Sequence, residues 1–383
     1  MKKLFLLDGM ALIYRAYFAM SKNPRFTASG VNTSAIMGYA NTLLEVLKNQ
    51  NPTHIAVVFD TEAPTNRHEE MESYKANRQT IPEDLAASIP YVFRLTEGFN
   101  IPVLTLDGYE ADDIIGTLAK QAEQEGFTVY CMTPDKDFAQ LVSEQIYIYK
   151  PARMGNGAEI LGVNEVLEKW EISDVQQVID ILGLWGDAVD NIPGIPGIGE
   201  KTAKKLIKEY GSMENIIANS AQLKGKMREN VETFAEQGLL SKRLATIQLD
   251  VPIAVDLQKL ELQEPDRATL EPLFAELEFR TLGKRVFGED FSVLGAGDSK
   301  AGQMDLFNAP SEHSAAASSE PDGSVSPAAS IDLVPHEYTL VEKEADMRSL
   351  AALLAGQSAI CFDTETTGVD ANTAEMVGMS FAF

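Results

Sequence analysis

Four short apolar runs, each followed by an acidic residue, constrain the fold of this 383-residue chain more than any other feature. The runs cover residues 2–7, 54–59, 101–106 and 127–133. Helical patterns lie between them, over residues 34–47, 82–98 and 111–126. Because strands that alternate with helices form parallel sheets, this order predicts an α/β fold with a mostly parallel sheet flanked by helices.

The acidic residues that follow these runs are expected to meet at one edge of the predicted sheet. Parallel strands end on the same side, and ligands bind outside their carboxyl ends. The residues concerned are Asp8, Asp60, Glu110 and Asp135. Scattered loop acids have no physical reason to fall repeatedly at that one end, so the pattern favours a shared site.

The densest acidic stretch is Tyr109-Glu110-Ala111-Asp112-Asp113, where a strand pattern gives way to a helix pattern. Like charges this close raise one another's pKa unless a cation lies among them, and a divalent metal ion is the obvious cation. Taken alone, the stretch fits an acidic helix start equally well, since Asp and Glu favour the first turn of a helix. The acids at the other strand ends favour the metal site.

Composition limits the cellular context and the kind of partner. The net charge of −25, from 57 acidic and 32 basic residues, opposes binding to nucleic acid unless basic residues cluster locally. No apolar run approaches the roughly 20 residues that cross a bilayer, and Asp8 interrupts the only amino-terminal run, so we expect a cytoplasmic protein without a membrane partner. Cys131 and Cys361 are far apart in apolar runs, which predicts reduced core thiols.

A strand pattern at 146–150 and a helix are predicted next. Ser173 is the expected N-cap of that helix, which ends near Leu184. Two further acids, Asp187 and Asp190, then precede a stretch rich in glycine and proline.

This glycine-rich stretch, residues 194–202, superficially matches a phosphate loop. Glu200 separates the last glycine from the Lys-Thr pair, however, and two prolines stiffen the turn, so a nucleotide-binding loop is disfavoured. We interpret the stretch as a hairpin whose backbone N–H groups, backed by a helix N-terminus, face a phosphate of a nucleic-acid strand. The lysines on the following helix have spacings that share a face; they are Lys201, Lys204, Lys205 and Lys208.

From about residue 287 the sequence changes to Gly, Ala, Ser, Asp and Pro, which predicts a flexible acidic linker. One island, Gln303-Met304-Asp305-Leu306-Phe307, interrupts it. Order is expected to resume near Tyr338, with a helix at 345–354, a strand-like run at 358–368 and an apolar strand from 376. Because the chain stops inside that last run, we expect an amino-terminal fragment of a longer protein.

Residues 1 to about 290 resemble the 5′ nuclease domain of the bacterial DNA polymerase I family, which belongs to the flap endonucleases. The resemblance rests on short motifs in the family's order: Leu7-Asp8-Gly9, Tyr14-Arg15-Ala16, Val58-Phe59-Asp60, Tyr74-Lys75-Ala76-Asn77-Arg78, Tyr109 to Asp113, Asp135-Lys136-Asp137, and Gly186-Asp187 through Thr202-Ala203. It implies a sheet with a helical arch and a helix-hairpin-helix type DNA-binding subdomain.

The resemblance also implies a domain order. A catalytic α/β domain would cover residues 1–183, the DNA-binding subdomain 184–286, the linker 287–335, and the incomplete start of an RNase H-like 3′-5′ exonuclease domain 336–383. That last assignment rests on similarity to the exonuclease's first motif, in which Asp363 and Glu365 share a metal ion. Two exposed strand acids are the alternative. The parent chain would be a DNA polymerase.

By the same resemblance, two Mg²⁺ ions, with Mn²⁺ as an alternative, are held by nine acids, some through water. They are Asp8, Asp60, Glu110, Asp112, Asp113, Asp135, Asp137, Asp187 and Asp190. The implied catalytic cations are Lys75, Arg78 and Arg15. The implied DNA contacts are Arg67, Tyr14, Gly194, Gly197, Gly199, Lys201, Thr202, Lys204 and Lys205. For Tyr14 and Tyr74, base stacking and packing stay equal alternatives.

The linker island resembles the peptide by which bacterial polymerases hold the sliding clamp, through Gln303, Leu306 and Phe307; a chance apolar cluster is the alternative. The leading prediction is a monomeric, metal-dependent 5′-3′ exonuclease and flap endonuclease that acts on DNA with a 5′ flap or nick and on RNA primers. A non-catalytic DNA-binding or clamp-tethering module is the competing class. A phosphatase or small ribonuclease of related fold is a third, but it would not need the glycine hairpin.

Overall fold

The computed structural model describes residues 2–78, 80–151, 157–288, 291, 341, 343–357, 361–366 and 376–382. The chain divides into two compact units, Met1–Lys300 and Ala301–Phe383. None of the described helices is both long enough and apolar enough to span a bilayer.

A six-stranded sheet lies at the centre of the first unit. Its strands are β1 (Lys3–Asp8), β2 (His54–Val58), β3 (Val103–Leu104), β4 (Thr128–Met132), β5 (Ile146–Lys150) and β6 (Glu159–Leu161). The spatial order is β3-β2-β1-β4-β5-β6; β1 to β5 run parallel and β6 pairs antiparallel with β5. The predicted mostly parallel sheet is confirmed.

Thirteen described helices surround this sheet or extend from it. They are α1 (Gly9–Met20), α2 (Ser34–Gln50), α3 (Asn66–Glu70), α4 (Glu83–Gly98), α5 (Ala111–Gln124), α6 (Val163–Trp170), α7 (Gln177–Trp185), α8 (Glu200–Tyr210), α9 (Met213–Ala218), α10 (Gly225–Thr233), α11 (Ala235–Ala245), α12 (Arg267–Glu276) and α13 (Arg280–Phe287). The helices predicted at 34–47, 82–98 and 111–126 form with ends shifted by at most three residues.

Side chains alternate between the two faces of β1, and this alternation separates two cores. Leu4 and Leu6 are fully buried in the cluster that contains Ile114 of α5. Phe5 and Leu7 are fully buried in the other cluster, with Tyr39 of α2. Since β1 has helices on both faces, its central residues form a continuous apolar run, and Asp8 ends the strand at its carboxyl end.

Ser173 does not begin the following helix, which starts at Gln177. The side chain of Gln177 instead turns back over the preceding loop, where its Oε1 accepts hydrogen bonds from the Ser173 backbone N (2.9 Å) and Oγ (3.2 Å). A side chain inside the helix thus holds the loop, and the expected N-cap is wrong by three residues, since Gln176 is the N-cap.

The predicted helical arch is also not observed. Among the described residues from 61 to 82, the only helix is the five-residue α3, and the rest forms turns. Hydrogen bonds tie this segment to the loop after α7: the Lys75 backbone N donates to Asp190 O (3.0 Å), Asn77 Nδ2 to Ala188 O (2.6 Å), and Asn191 Nδ2 to Ser73 O (2.6 Å). The segment is therefore held down at the edge of the sheet.

The second unit contains α14 (Glu344–Ala355) and the strands β7 (Cys361–Thr366) and β8 (Met376–Ala382). The strands pair antiparallel, with Phe362 opposite Phe381. The predicted helix and strands of this unit are confirmed. Gln303, Leu306, Phe307 and most of the predicted linker lie outside the described residues.

Candidate metal centre and nucleic-acid interface

Asp8 is the last residue of β1 and the N-cap of α1. Its Oδ1 accepts a hydrogen bond from the Ala11 backbone N (3.0 Å), and its Oδ2 accepts one from Thr133 Oγ1 (3.1 Å), just after β4. The carboxylate is thus held between the ends of two neighbouring strands, as the parallel order predicts.

Asp60 and Glu110 are brought together at the start of α5. Asp60 follows β2 by two residues, and its Oδ1 accepts a hydrogen bond from the Ala111 backbone N (2.8 Å), the first residue of α5. Glu110 is the N-cap of this helix and is 5% exposed. The acids after β1, β2 and β4 and the acidic start of α5 therefore share one edge of the sheet.

Asp135 and Asp137 follow β4 in a tight turn, in which the Asp137 backbone N donates to Asp135 Oδ1 (2.9 Å). The Asp137 Oδ1 atom is buried and has no hydrogen-bond partner. A buried carboxylate oxygen without a partner is costly, and a cation at this position would remove that cost.

Electrostatics show that the cluster carries more negative charge than its surroundings balance. Burial, reinforced by the charges of Asp60 and Asp135, raises the pKa of Asp8 to about 6. Burial and then the neighbouring carboxylates raise the pKa of Asp112 and Asp137 well above the usual range. Together with the unpartnered oxygen of Asp137, this all-oxygen set fits a hard divalent cation such as Mg²⁺.

The protein's own cations already occupy part of the cluster. Lys75 Nζ lies 2.6 Å from Glu110 Oε1 and 3.9 Å from Asp190 Oδ2, and Arg78 Nη2 lies 2.6 Å from Asp190 Oδ1. In the described part of the chain, no three acidic, histidine or cysteine side chains already form a closed set around an ion. Basic side chains of the protein itself therefore balance part of the negative charge of the cluster.

Asp113 differs from the other predicted ligands. Its two oxygens accept hydrogen bonds from Arg67 Nη1 (2.6 Å) and Nη2 (2.7 Å), and also from the backbone N of Glu110 (3.2 Å) and of Gln248 (2.8 Å). With both oxygens used and only 1% of the residue exposed, Asp113 has a structural role here, and its assignment as a metal ligand stays a prediction.

Arg67 was predicted to contact DNA, but it is 5% exposed. Besides the Asp113 pair, its Nε donates to Leu244 O (2.9 Å) and its Nη2 to Thr246 O (2.9 Å). Its guanidinium is therefore committed inside the protein in this structure, and its contact with DNA stays a prediction. Tyr74 is likewise buried and donates from its hydroxyl to Glu110 Oε2 (3.2 Å), so packing is correct for that residue.

Lys75 has a left-handed backbone conformation, with φ of 57°. Residues other than glycine adopt this conformation rarely, and it recurs at functional sites where surrounding structure enforces it. Here the backbone bond to Asp190 and the side-chain pair with Glu110 enforce it.

The two remaining predicted side chains lie on α1. The Arg15 Nη2 donates to Pro151 O (3.3 Å), just beyond β5. The Tyr14 ring stacks on Phe18 at 6.1 Å between centroids, and Phe18 is exposed. The structure is therefore compatible with both base stacking and packing for Tyr14.

The hairpin glycines fall into two groups. Gly194 is buried; its backbone N donates to Ser241 Oγ (3.0 Å), and a Cβ there would lie 2.6 Å from the Gly186 backbone N. This glycine serves close packing, and its contact with DNA stays a prediction. Gly197 and Gly199 are exposed, and Gly199 is the N-cap of α8.

The lysines of α8 also divide. Lys201 and Lys205 are exposed and, with Lys208, share one face, next to Thr202 in the first turn. Lys204 is different: its Nζ donates to Lys169 O (3.0 Å) and lies 2.8 Å from Glu200 Oε1. Lys204 therefore connects α8 to α6, and its contact with DNA stays a prediction.

Lys136 is a site residue that the sequence analysis missed. Its Nζ lies 2.6 Å from Asp187 Oδ2 and 4.5 Å from the centre of the Trp185 ring. The available signal was its position between two predicted metal ligands, Asp135 and Asp137. In the second unit, Asp363 and Glu365 lie two residues apart on β7, which is the spacing of one strand face.

Comparison with known proteins identifies the class. The 5′-3′ exonuclease N-terminal resolvase-like domain matches residues 3–171, and the 5′-3′ exonuclease C-terminal SAM fold matches residues 173–268. The chain belongs to the 5′-3′ exonuclease family.

Curated relatives carry the name DNA polymerase I. The protein of Bacillus subtilis (strain 168) is 41% identical over 292 residues, which are 76% of this chain and 32% of that protein. The protein of Rhizobium leguminosarum is 33% identical over 423 aligned residues, covering 99% of this chain and 41% of that protein. The chain thus spans between about a third and two fifths of these relatives, and the second match includes its second unit.

Solved structures share the fold. A T5 5′-exonuclease with bound divalent metal ions (zinc) superposes with a TM-score of 0.55 at 23% identity, covering 64% of this chain and 89% of that one. The T5 D15 flap endonuclease in a pseudo-enzyme-product complex with DNA and metal ions gives a TM-score of 0.54 at 23% identity, covering 65% and 89%. These matches confirm a central sheet flanked by helices.

Proposed function

We propose that this chain is a divalent-metal-dependent 5′ nuclease that hydrolyses phosphodiesters in DNA carrying a 5′ flap or a nick, and in RNA primers. One observation carries the proposal: acids from three strand ends and a helix start share one sheet edge, where Asp8, Asp112 and Asp137 have raised pKa values and Asp137 has an unpartnered buried oxygen. The family membership supports hydrolysis as the reaction.

The ion set that we propose is two Mg²⁺, or Mn²⁺ in their place. Such ions lower the pKa of a bound water and neutralise charge on a phosphoryl group. Eight of the nine predicted acids remain as direct or water-mediated ligands: Asp8, Asp60, Glu110, Asp112, Asp135, Asp137, Asp187 and Asp190. A cavity of about 10 Å³, lined by Glu110, Asp112, Asp137 and Asp190, has room for roughly one water molecule among them.

Lys75, Arg78 and Arg15 are the proposed catalytic cations. Lys75 and Arg78 are paired with Glu110 and Asp190, so an ion that takes over these acids frees both basic side chains. The freed side chains would then orient the scissile phosphate and stabilise charge that develops on it.

Duplex binding is assigned to the hairpin and α8, in a helix-hairpin-helix type subdomain. Gly197, Gly199 and Thr202 surround the N-terminus of α8, where backbone N–H groups and the helix dipole favour a phosphate. Lys201 and Lys205 extend the contact along the exposed face of α8. This local basic face would explain how a chain with a net charge of −25 binds DNA.

The other functional assignments depend on the relatives and on short motifs. We propose that Gln303, Leu306 and Phe307 bind a sliding clamp, that Asp363 and Glu365 begin an RNase H-like 3′-5′ exonuclease site, and that the native protein has a DNA polymerase region. A monomeric state and a cytoplasmic location remain proposals.

The decisive experiment measures cleavage of a labelled 5′ flap with Mg²⁺ and with chelator, beside Asp112→Asn. We expect Mg²⁺-dependent cleavage that falls by roughly a hundredfold or more in this variant, about 2.7 kcal/mol of barrier. The exposed Asp107, in the loop before α5, supplies the control, since Asp107→Asn should cleave normally. Cleavage in chelator would contradict the metal assignment. DNA binding without any cleavage would favour the non-catalytic module.

In the same assay, Lys75→Ala separates catalysis from binding. Lys75 lies at the acid cluster, so its removal should lower turnover far more than affinity for the duplex. Lys205→Ala should do the reverse because that side chain is on the exposed face of α8. Equal losses of turnover and affinity in Lys75→Ala would count against its catalytic role.

A further inference from the structure

Lys136 occupies an unusual position at the junction between β4 and the loop after α7. Its ammonium donates to Asp187 Oδ2 at 2.6 Å and lies over the Trp185 ring at 4.5 Å from the ring centre. An ammonium over an indole ring is attracted by the ring's negative face. Two contacts from other parts of the chain thus hold a lysine whose sequence neighbours are both proposed metal ligands.

Of the two carboxylate oxygens of Asp187, only Oδ2 is bonded to a flexible side chain. Its Oδ1 accepts a hydrogen bond from the Val189 backbone N (2.8 Å), and its backbone N and O exchange hydrogen bonds with Ile192 (2.9 and 2.7 Å). These bonds fix the loop, so Asp187 cannot easily turn away. Its Oδ2 is bonded to Lys136, a flexible side chain that is 35% exposed, whereas the Asp187 side chain is 13% exposed.

We propose that Lys136 is a built-in counter-cation: it neutralises Asp187 in the metal-free protein and is displaced from Asp187 and Trp185 when a divalent ion binds. The inference depends on the proposed metal site. It accounts for the 2.6 Å contact between Lys136 and a proposed ligand, because the ammonium occupies an oxygen that the ion would need.

Two opposite effects on metal affinity distinguish this role from simple structural support. If Lys136 competes with the ion, its removal frees Asp187 Oδ2 and removes a nearby like charge, so metal affinity rises. If Lys136 only holds Asp187 in place, its removal loosens a ligand and metal affinity falls. In either case Lys136 acts through Asp187 and does not contact the reacting atoms, so it is a positioning residue and not a catalytic one.

The first measurement is calorimetric titration of the full chain with Mg²⁺ and with Mn²⁺, without DNA. We expect Lys136→Met to bind roughly threefold to tenfold more tightly than the wild type. Lys120→Met is the matched control: it removes the same charge from a lysine paired with Glu123 at 3.1 Å, roughly 12 Å further along α5 than Asp112. Its metal affinity should equal that of the wild type.

The second measurement uses Trp185 as a reporter. The chain has two tryptophans, so Trp170→Phe leaves Trp185 alone. Its emission should change with added Mg²⁺ along the same curve as the calorimetric heat, because the ammonium leaves the ring. Adding Lys136→Met should abolish this change and give the emission of the metal-bound protein from the start. The calorimetry on Lys136→Met needs no change at Trp170, so it stands even if Trp170→Phe folds poorly.

The outcomes separate the inference from the proposed function. Metal binding with unchanged or weakened affinity in Lys136→Met, or a Trp185 emission change that persists in that variant, overturns the counter-cation role and leaves the metal site intact. The absence of any metal binding in the wild type overturns both. Tighter binding in Lys136→Met, with Lys120→Met unchanged, supports the inference.

Discussion

The carboxyls at the sheet edge are individually poor places for negative charge. Asp8 is held at the end of a buried strand, and burial together with the charges of Asp60 and Asp135 raises its pKa to about 6. For such an acid the folded state binds more protons than the unfolded state, whose usual pKa is 3.8. The stability of the metal-free protein that depends on Asp8 therefore decreases as pH rises from about 4 to 6. A bound cation reverses this cost.

We therefore predict that stabilisation by Mg²⁺ depends on pH. At pH 7.5 Asp8 must ionise and a cation is favourable, whereas at pH 5 much of it keeps its proton and competes with the ion. The melting temperature should rise more on adding Mg²⁺ at pH 7.5 than at pH 5, as measured by thermal unfolding with Mg²⁺ and with chelator. Asp8→Asn should reduce the difference between the two pH values. An equal rise at both would argue that the Asp8 carboxyl does not contribute to ion binding.

At the scale of elements, one buried ion pair and its backbone contact connect three helices next to the acid cluster. Arg67 of α3 pairs with Asp113 of α5 and donates to Leu244 O at the end of α11. Since Asp113 is also the third residue of α5, the same pair sets where that helix begins and so where Glu110 and Asp112 stand. The arrangement of the site therefore depends on a contact outside it.

Removing the guanidinium should leave Asp113 charged and unpaired in the interior. We predict that Arg67→Met lowers the free energy of unfolding by about 3–5 kcal/mol, measured by urea denaturation. Arg94→Met is the control, because Arg94 pairs with Glu276 while both side chains are nearly half exposed, and it should cost less than about 1 kcal/mol. A cost for Arg67→Met as small as that for the control would show that Asp113 is not structurally dependent on Arg67.

At the scale of the whole molecule, charge is distributed unevenly along the chain. The net charge of −25 includes both the acid cluster and the linker, while Lys201, Lys205 and Lys208 share an exposed face of α8. Net charge alone misrepresents such a chain because binding depends on the local field at the contacting surface. The apolar island in the linker, residues 303–307, is a second local feature that the net charge does not describe.

This island supports a prediction about the whole chain. Double substitution Leu306→Ala, Phe307→Ala should abolish retention on immobilised sliding clamp, since two apolar anchors supply most of the burial available to so short a peptide. The matched control is Leu333→Ala, Val334→Ala, which removes similar apolar area elsewhere in the linker. Equal retention of the wild type and the first double variant would exclude the clamp assignment.

Much of the fold follows from local patterns. Strands β1 to β5 were predictable because short apolar runs of five to seven residues have few alternatives, and the helices at 34–47, 82–98 and 111–126 because their apolar periodicity is regular. The three-residue β6, two of whose residues are exposed, was not predicted. The exceptions are local too: Ser173 carries the residue type of an N-cap, but Gln177, four residues on, supplies the acceptor instead. Apolar periodicity alone does not show which side chain will supply the hydrogen-bond acceptor near the start of a helix.

The candidate site was only partly predictable. That Asp8, Asp60, Glu110 and Asp135 share an edge follows from the parallel order of strands, which the sequence by itself determined. Tertiary contacts between distant parts of the chain decided which predicted site residues have structural partners instead. These contacts are Arg67 with Asp113, Lys204 with Lys169, and Gly194 with Ser241. Residue type and spacing indicate what a side chain can bind. Only the packed structure determines whether a nearer partner has already taken it, because burial removes the water that would otherwise compete.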